Sequence, residues 1–197
     1  LRAAGYEAWY VGGCVRDTLL GRPVHDWDIT TSALPEEVTA LFAKTIPTGI
    51  RHGTVTVLEN GAKAEVTTYR ADGQYLDGRH PAAVTFVRSL PEDLARRDFT
   101  VNAMAMDEDG TLVDLYGGRA DLDARLLRCV GDPTRRFEED ALRMLRAVRF
   151  AAQLGFTIES ETAAAIVRCA PLAERLSAER VSEELQKTLL SPRPELV

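Results

Sequence analysis

Gly12-Gly13-Cys14-Val15-Arg16-Asp17-Thr18-Leu19-Leu20-Gly21-Arg22-Pro23-Val24-His25-Asp26-Trp27-Asp28 is the stretch on which the fold turns. The residues before it, Ala8-Trp9-Tyr10-Val11, have the character of a strand, and 15–20 read as a short helix closed by Gly21. The glycine pair therefore falls at a strand-to-helix turn. There a backbone without Cβ atoms lets a ligand approach closely, and the free N–H groups of a starting helix face an anion. Side chains two apart on a strand share a face, so Asp26 and Asp28 present their oxygens to one side while Trp27 turns to the other. Hard cations such as Mg²⁺ favour such oxygens together with substrate phosphates. Singly, a Gly-Gly is an ordinary turn and an Asp-x-Asp a solvated edge or cap. Their order and distance point to phosphate and metal chemistry.

Composition sets the frame around this stretch. The 197 residues, 45% of them apolar, suffice for one large or two small globular domains. No run of eighteen apolar residues occurs, and residues 1–7 lack the apolar block of a signal peptide, so the expectation is no membrane association and a cytoplasmic address. Cys14, Cys129 and Cys169 are an odd, widely spaced set without metal-ligand spacing, which reads as buried thiols rather than disulfides. A formal charge of −6 excludes nucleic-acid binding over the whole surface. Any polynucleotide must meet local basic patches: Arg96-Arg97, Arg135-Arg136, and the series Arg143, Arg146, Arg149. The chain starts without Met and stops at Ser191-Pro192-Arg193-Pro194 with no terminating element, which reads as a piece of a longer protein.

Along the chain, strand patterns at 9–11, 27–30, 54–58, 62–69, 84–87, 104–106, 112–114 and 127–130 alternate with helical ones, such as that opened by Leu34-Pro35-Glu36-Glu37. Glu59-Asn60-Gly61 between two of the strands carries a hairpin signal. After Pro133 apolar spacings of three and four predict helices over 136–155, 159–169 and 178–190, with Leu142, Leu145, Val148 and Ala152 as a buried stripe flanked by arginines. Residues 71–81, without periodicity, read as a loop. The fold class expected is α+β: a mixed sheet with flanking helices over 1–130, followed by an all-helical part over 131–197.

A third acid, Glu65, sits in a strand between Ala64 and Val66, placed to reach a site from a sheet. The glycine pair, the Asp-x-Asp strand and this acid resemble the DNA polymerase β-like nucleotidyltransferases. Arg96-Arg97-Asp98-Phe99-Thr100-Val101-Asn102-Ala103, Asp114-Leu115-Tyr116-Gly117-Gly118 and the run from Glu139-Asp140-Ala141-Leu142-Arg143 to Arg146-Ala147-Val148-Arg149-Phe150 sharpen the likeness. In order, they resemble successive motifs of the class II tRNA nucleotidyltransferases, the bacterial CCA-adding enzymes and their poly(A) polymerase relatives. The match runs from about Gly5 to Leu190 and corresponds to the family's head and neck; the body and tail that follow in the family are expected to lie outside this stretch.

The resemblance implies template-independent addition of C, C and A to a tRNA 3′ end from CTP and ATP, with release of pyrophosphate. It assigns Asp26 and Asp28 to Mg²⁺, Glu65 to a supporting role as ligand or base, and Gly12, Gly13 and Arg16 to the triphosphate. Asp98 becomes the acceptor for a ribose hydroxyl and Arg97 a phosphate or site-organising partner. Asn102, Arg146 and Arg149 join the nucleotide-binding set. Asp140 and Arg143, expected one helical turn apart and so neighbours, become the pair that accepts from the exocyclic amine of C or A and donates to the ring. tRNA itself is expected to bind mainly through the missing body and tail. Poly(A) polymerases carry a basic pair after the catalytic strand, and Thr48-Gly49-Ile50-Arg51-His52-Gly53 lacks it, which favours CCA addition. Residues 72–81 resemble the loop that the final A step needs. CC-only or A-only addition and a non-enzymatic RNA-binding module are the alternatives.

Overall fold

The computed structural model describes residues 1–72 and 84–196; of the expected loop, 73–81 lies outside the described residues. The described chain divides into two compact units, one of residues 1–72, 84–97 and 102–116, the other of 98–101 and 117–196.

The first unit is built on strands β1 (Ala8–Val11), β2 (Trp27–Thr31), β3 (Thr45–Gly49), β4 (Thr54–Glu59), β5 (Ala62–Thr68), β6 (Arg70–Asp72), β7 (Val84–Phe86), β8 (Met104–Met106) and β9 (Leu112–Asp114). Seven form one sheet in the order β3-β4-β5-β2-β1-β8-β9, while β6 and β7 pair separately. The sheet is mixed: β2 runs parallel to β5, and its other pairs are antiparallel. Asn60 and Gly61, with φ of 49° and 81°, make the two-residue turn that joins β4 to β5, as the Asn-Gly signal predicts.

Register divides the two faces of this sheet. Ile29, Val55, Val57 and Val66 share one face, where Val38 of α2 (Pro35–Leu41) completes a core. Asp28, Thr30 and Glu65 point to the other, with Trp9 and Val11 of β1. On that side Leu90 and Leu94 of α3 (Leu90–Ala95) pack with Val11, Tyr69 and Ala105. Thus α3 covers part of the face that carries the acids. The strand expected at 27–30 begins at Trp27, so Asp26 stands one residue ahead of it and is exposed. Trp27 packs on Tyr10 at 5.1 Å between ring centroids, on the opposite face from Asp28.

The second unit contains α4 (Gly118–Asp123), β10 (Leu126–Leu127), α5 (Pro133–Glu139), α6 (Leu142–Leu154), β11 (Thr157–Ile158), α7 (Ser160–Cys169) and α8 (Ala178–Leu189). Phe99, Leu127, Phe137, Ala147, Ala152 and Ala165 are fully buried, and Phe99 meets Phe150 edge-on at 5.8 Å. Two expectations change here. The single helix predicted over 136–155 is broken: Asp140 adopts φ −146° and ψ 105°, and its carboxylate accepts the Leu142 N–H at 3.0 Å. A short acidic side chain that bonds the backbone locally competes with helix continuation. Of the predicted stripe, Leu142 and Ala152 are buried but Leu145 and Val148 only half-buried, and the buried face of α6 also takes in Arg143, Met144, Ala147, Arg149, Phe150 and Ala151. Two of the supposedly flanking arginines are inside, each with a carboxylate partner. The three cysteines are buried and unbridged, and no helix among the described residues is long and apolar enough to cross a membrane.

Candidate active site

In the first unit the acids are brought together by strand pairing. Asp28 and Glu65 are direct partners across the parallel β2–β5 ladder, so their side chains leave the same face. Burial pushes the Asp28 carboxyl up; Glu65 pushes it further, Arg97 opposes, and Asp26 adds to the rise. That repulsion among oxygens is the condition a hard cation relieves. Among the described residues no three metal-ligating side chains close into a ready cage. A two-aspartate site completed by phosphate oxygens and water suits Mg²⁺, which retains waters and uses one or two carboxylates. Glu65 is half exposed, with Lys63 Nζ at 3.8 Å.

The glycine turn lies against this cluster. Gly12 has φ +72° and ψ −132°, a conformation open to glycine and costly for any residue with a side chain. A methyl built on it would stand 3.3 Å from Arg97 Nη1 and 3.8 Å from Asp28 Oδ2. Backbone, guanidinium and carboxylate thus meet around one point. Gly13 opens α1 (Gly13–Leu19), and a methyl there would lie 3.6 Å from Arg16 Nη2. Arg16 is buried and oriented: Nη1 donates to Asn102 Oδ1 at 2.7 Å, while Nε and Nη2 donate to Asp17. Arg97 is held through Nη2, which donates to Asp93 Oδ2 at 3.0 Å. Structure therefore brings Gly12, Asp28 and Arg97 into one neighbourhood, and links Arg16 to Asn102 beside Gly13.

The second unit carries the other expected residues. Asp98 Oδ2 accepts from Arg146 Nε at 2.9 Å and Nη2 at 2.7 Å, while Oδ1 accepts the Phe99 N–H at 2.8 Å. Burial works to raise the Asp98 carboxyl, but Arg146, with help from Arg143, wins and holds it at about 2. The same burial, reinforced by the Asp98 charge, lifts the Cys129 thiol to about 12, so it stays protonated.

Asp140 and Arg143 are one turn apart, as expected, with the Arg143 N–H donating to the Asp140 carbonyl at 3.0 Å, although Asp140 lies just outside the helix. Asp140 precedes α6, and its carboxylate accepts from Arg180 Nη2 of α8 at 3.0 and 3.3 Å. Arg143 Nη1 donates to Glu139 Oε2 at 2.7 Å and to the Arg136 carbonyl at 3.1 Å. Each side chain is oriented by its own partner. Arg149 stands apart from the pair's hydrogen bonds: Nε donates to Glu184 Oε2 at 2.6 Å, Nη1 to Gln153 at 3.1 Å, and its guanidinium lies 4.1 Å from the Phe150 ring centroid.

Four supporting residues were missed from sequence. Asp93 precedes Arg96 and Arg97 by three and four residues, a legible ion-pair spacing. Glu139 precedes Arg143 by four, which is equally legible. Arg180 and Glu184 reach Asp140 and Arg149 across 40 and 35 residues, with no local signal.

Comparison with known proteins supplies an independent finding. The family described as "Poly A polymerase head domain" matches residues 8–128, and "Probable RNA and SrmB- binding site of polymerase A" matches 155–197. The CCA-adding enzyme of Geobacillus thermodenitrificans is 57% identical over 192 residues, which is 98% of this chain and 48% of the relative. The crystal structure of the Bacillus stearothermophilus CCA-adding enzyme in complex with CTP superposes with a TM-score of 0.91 at 54% identity, over 98% of this chain and 46% of that one. The Thermotoga maritima CCA-adding enzyme complexed with tRNA gives 0.78 at 27% identity, over 99% and 46%. The chain spans about half the length of the relatives it matches.

Proposed function

Because the chain belongs to the family of CCA-adding enzymes and poly(A) polymerases, whose head and neck it covers, we propose that it is the nucleotide-handling half of a CCA-adding tRNA nucleotidyltransferase of the cytoplasm. The reaction joins an RNA 3′-hydroxyl to the α-phosphate of CTP or ATP and releases pyrophosphate. The observation that carries this reading is the convergence of Gly12, Asp28 and Arg97, with Glu65 in register beside Asp28.

Asp26 and Asp28 are the residues that would hold Mg²⁺, which would supply positive charge to the phosphoryl oxygens and lower the pKa of the attacking hydroxyl. The chain's own groups do the rest. Gly12 leaves its backbone open to the phosphates at the point where a side chain would crowd Arg97, 3.3 Å from its Nη1. Arg97 and Arg16, each fixed by a carboxylate or amide partner, present guanidinium charge to the triphosphate. Glu65 adds a carboxylate beside Asp28, as ligand or as base for the hydroxyl proton.

In the second unit Asp98, ionised and held by Arg146, is the acceptor for a ribose hydroxyl. Asp140 accepts the exocyclic amine shared by cytosine and adenine, and Arg143 donates to the adjacent ring acceptor. Uracil and guanine present a carbonyl where that amine stands, so the pair rejects them. Arg180 holds the Asp140 carboxylate and Glu139 the Arg143 guanidinium. The match of residues 155–197 to an RNA-binding family supports RNA as acceptor.

The test is to incubate the full protein, Mg²⁺, CTP and ATP with tRNA ending before CCA, and to sequence the products. Addition of CCA and then arrest is expected. Long adenosine tails defeat the assignment in favour of poly(A) addition, and CC or A alone defeats the complete activity.

A further inference from the structure

We propose that Asp93 is a positioning residue for nucleotidyl transfer: its buried carboxylate fixes the Arg97 guanidinium beside Asp28, so that an incoming triphosphate meets an arginine already in place. This rests on the reading of the first unit's cluster as a triphosphate site. Asp93 is fully buried, and one of its two oxygens bonds directly to Arg97 of that cluster. Oδ1 accepts from Arg96 Nη2 at 2.7 Å and Nε at 3.1 Å, with the Arg70 N–H at 3.4 Å. Oδ2 accepts from Arg97 Nη2 at 3.0 Å and from the Thr30 hydroxyl at 3.1 Å.

Thr30 is two residues beyond Asp28 on β2 and shares its face. One carboxylate is therefore bonded both to the strand that carries the acid and to the arginine that stands beside it. The guanidinium is planar and rigid, so fixing Nη2 also fixes Nη1, the nitrogen 3.3 Å from where a Gly12 methyl would be. Charge argues the same way. Arg96 alone, through two bonds, neutralises the buried carboxylate; Arg97 leaves the group of three with a surplus positive charge. That surplus stands beside Asp28 and Gly12. A purely structural ion pair has no need of the second arginine.

The experiment uses the full protein and four variants: Asp93→Asn, Arg97→Ala, the double variant, and Thr30→Val. Loss of one charge-assisted hydrogen bond predicts that Asp93→Asn lowers CTP affinity and addition to tRNA by on the order of 10- to 100-fold. In the Arg97→Ala background the same change costs no more than about twofold in CTP affinity and addition, while it still lowers the melting temperature there, because the Arg96 and Thr30 bonds of Asp93 are lost in either background. Thr30→Val, a gentler probe should Asp93→Asn fail to fold, gives roughly a 2- to 10-fold loss that also vanishes without Arg97. An equal cost with and without Arg97 makes Asp93 structural and overturns the proposal. The crystal structure of Asp93→Asn, or of Thr30→Val, asks the question without any substrate. Displacement of Arg97 from Gly12 and Asp28 is expected, and an unmoved Arg97 overturns it. Failure of the unmutated protein to add nucleotides sinks the functional reading instead, and leaves the position of Arg97 to decide this one.

Discussion

Replacing Gly12 with alanine perturbs the backbone and the site at once, and the two effects separate. At φ +72° and ψ −132° the residue is outside even the left-handed helical region, so a Cβ there costs about 1–3 kcal/mol of strain. The new methyl also meets Arg97 Nη1 at 3.3 Å, tighter than ordinary van der Waals contact, and Arg97 is tethered to the fully buried Asp93. Its retreat loosens a charge-assisted hydrogen bond. Together these give an expected destabilisation of roughly 2–4 kcal/mol, or a melting temperature lower by roughly 4–16 °C for a chain of this length. Gly5→Ala is the control. Gly5 has φ +86° and ψ 10°, and no atom lies within 4 Å of its missing Cβ, so it pays only the left-handed penalty of about 1 kcal/mol. Urea unfolding measures the stabilities and isothermal titration the CTP affinity. The expected result is a larger stability loss for Gly12→Ala, with CTP binding weakened at least tenfold in that variant alone. Equal stability losses with unchanged CTP binding in both refute the convergence at Gly12 as a phosphate site.

Three further outcomes follow from the same geometry. Asp98 titrates near 2 in the folded chain against about 3.9 unfolded, so its ionised form stabilises the fold by about 2–3 kcal/mol above pH 4. That contribution declines as pH falls from about 4 to 2, and acid unfolding of Asp98→Asn, compared with the unmutated protein, should lack this component. Asp140→Ala or Arg143→Ala should raise UTP and GTP misincorporation by roughly 10- to 100-fold, matching ~1–3 kcal/mol per base-edge contact, as competition assays will read; unchanged misincorporation contradicts the base-reading role. Arg149→Met leaves Glu184 buried without its partner at 2.6 Å and should cost about 3–5 kcal/mol in urea unfolding. Adding Glu184→Leu should recover much of that loss.

The sheet was legible where alternation and turn chemistry agree. β2, β4, β5, β8 and β9 stand within a residue of expectation, because Asn60-Gly61 fixes one register and alternating valines fix the buried face. The helical half was legible as helices and illegible at its break. Nothing in the apolar spacing says that the Asp140 carboxylate takes the Leu142 N–H, and that single bond moves the acid off the helix face. Arg143 and Arg149 read as flanking charges, since periodicity counts a charged residue as outward. Glu139 and Glu184 make their burial tolerable, and the second lies 35 residues away. The acids of the first unit were legible as a set, but their partner Arg97 reaches them through Asp93 on α3, a helix the sequence reading did not identify.

The most direct measurement is anomalous diffraction from crystals of the full protein soaked with CTP and Mn²⁺ in place of Mg²⁺. A manganese peak bonded to Asp28 and Asp26, with triphosphate oxygens completing its shell and Arg97 on the phosphates, is the predicted result. Ordered CTP with no peak beside these aspartates, or with its phosphates away from Gly12, contradicts the account.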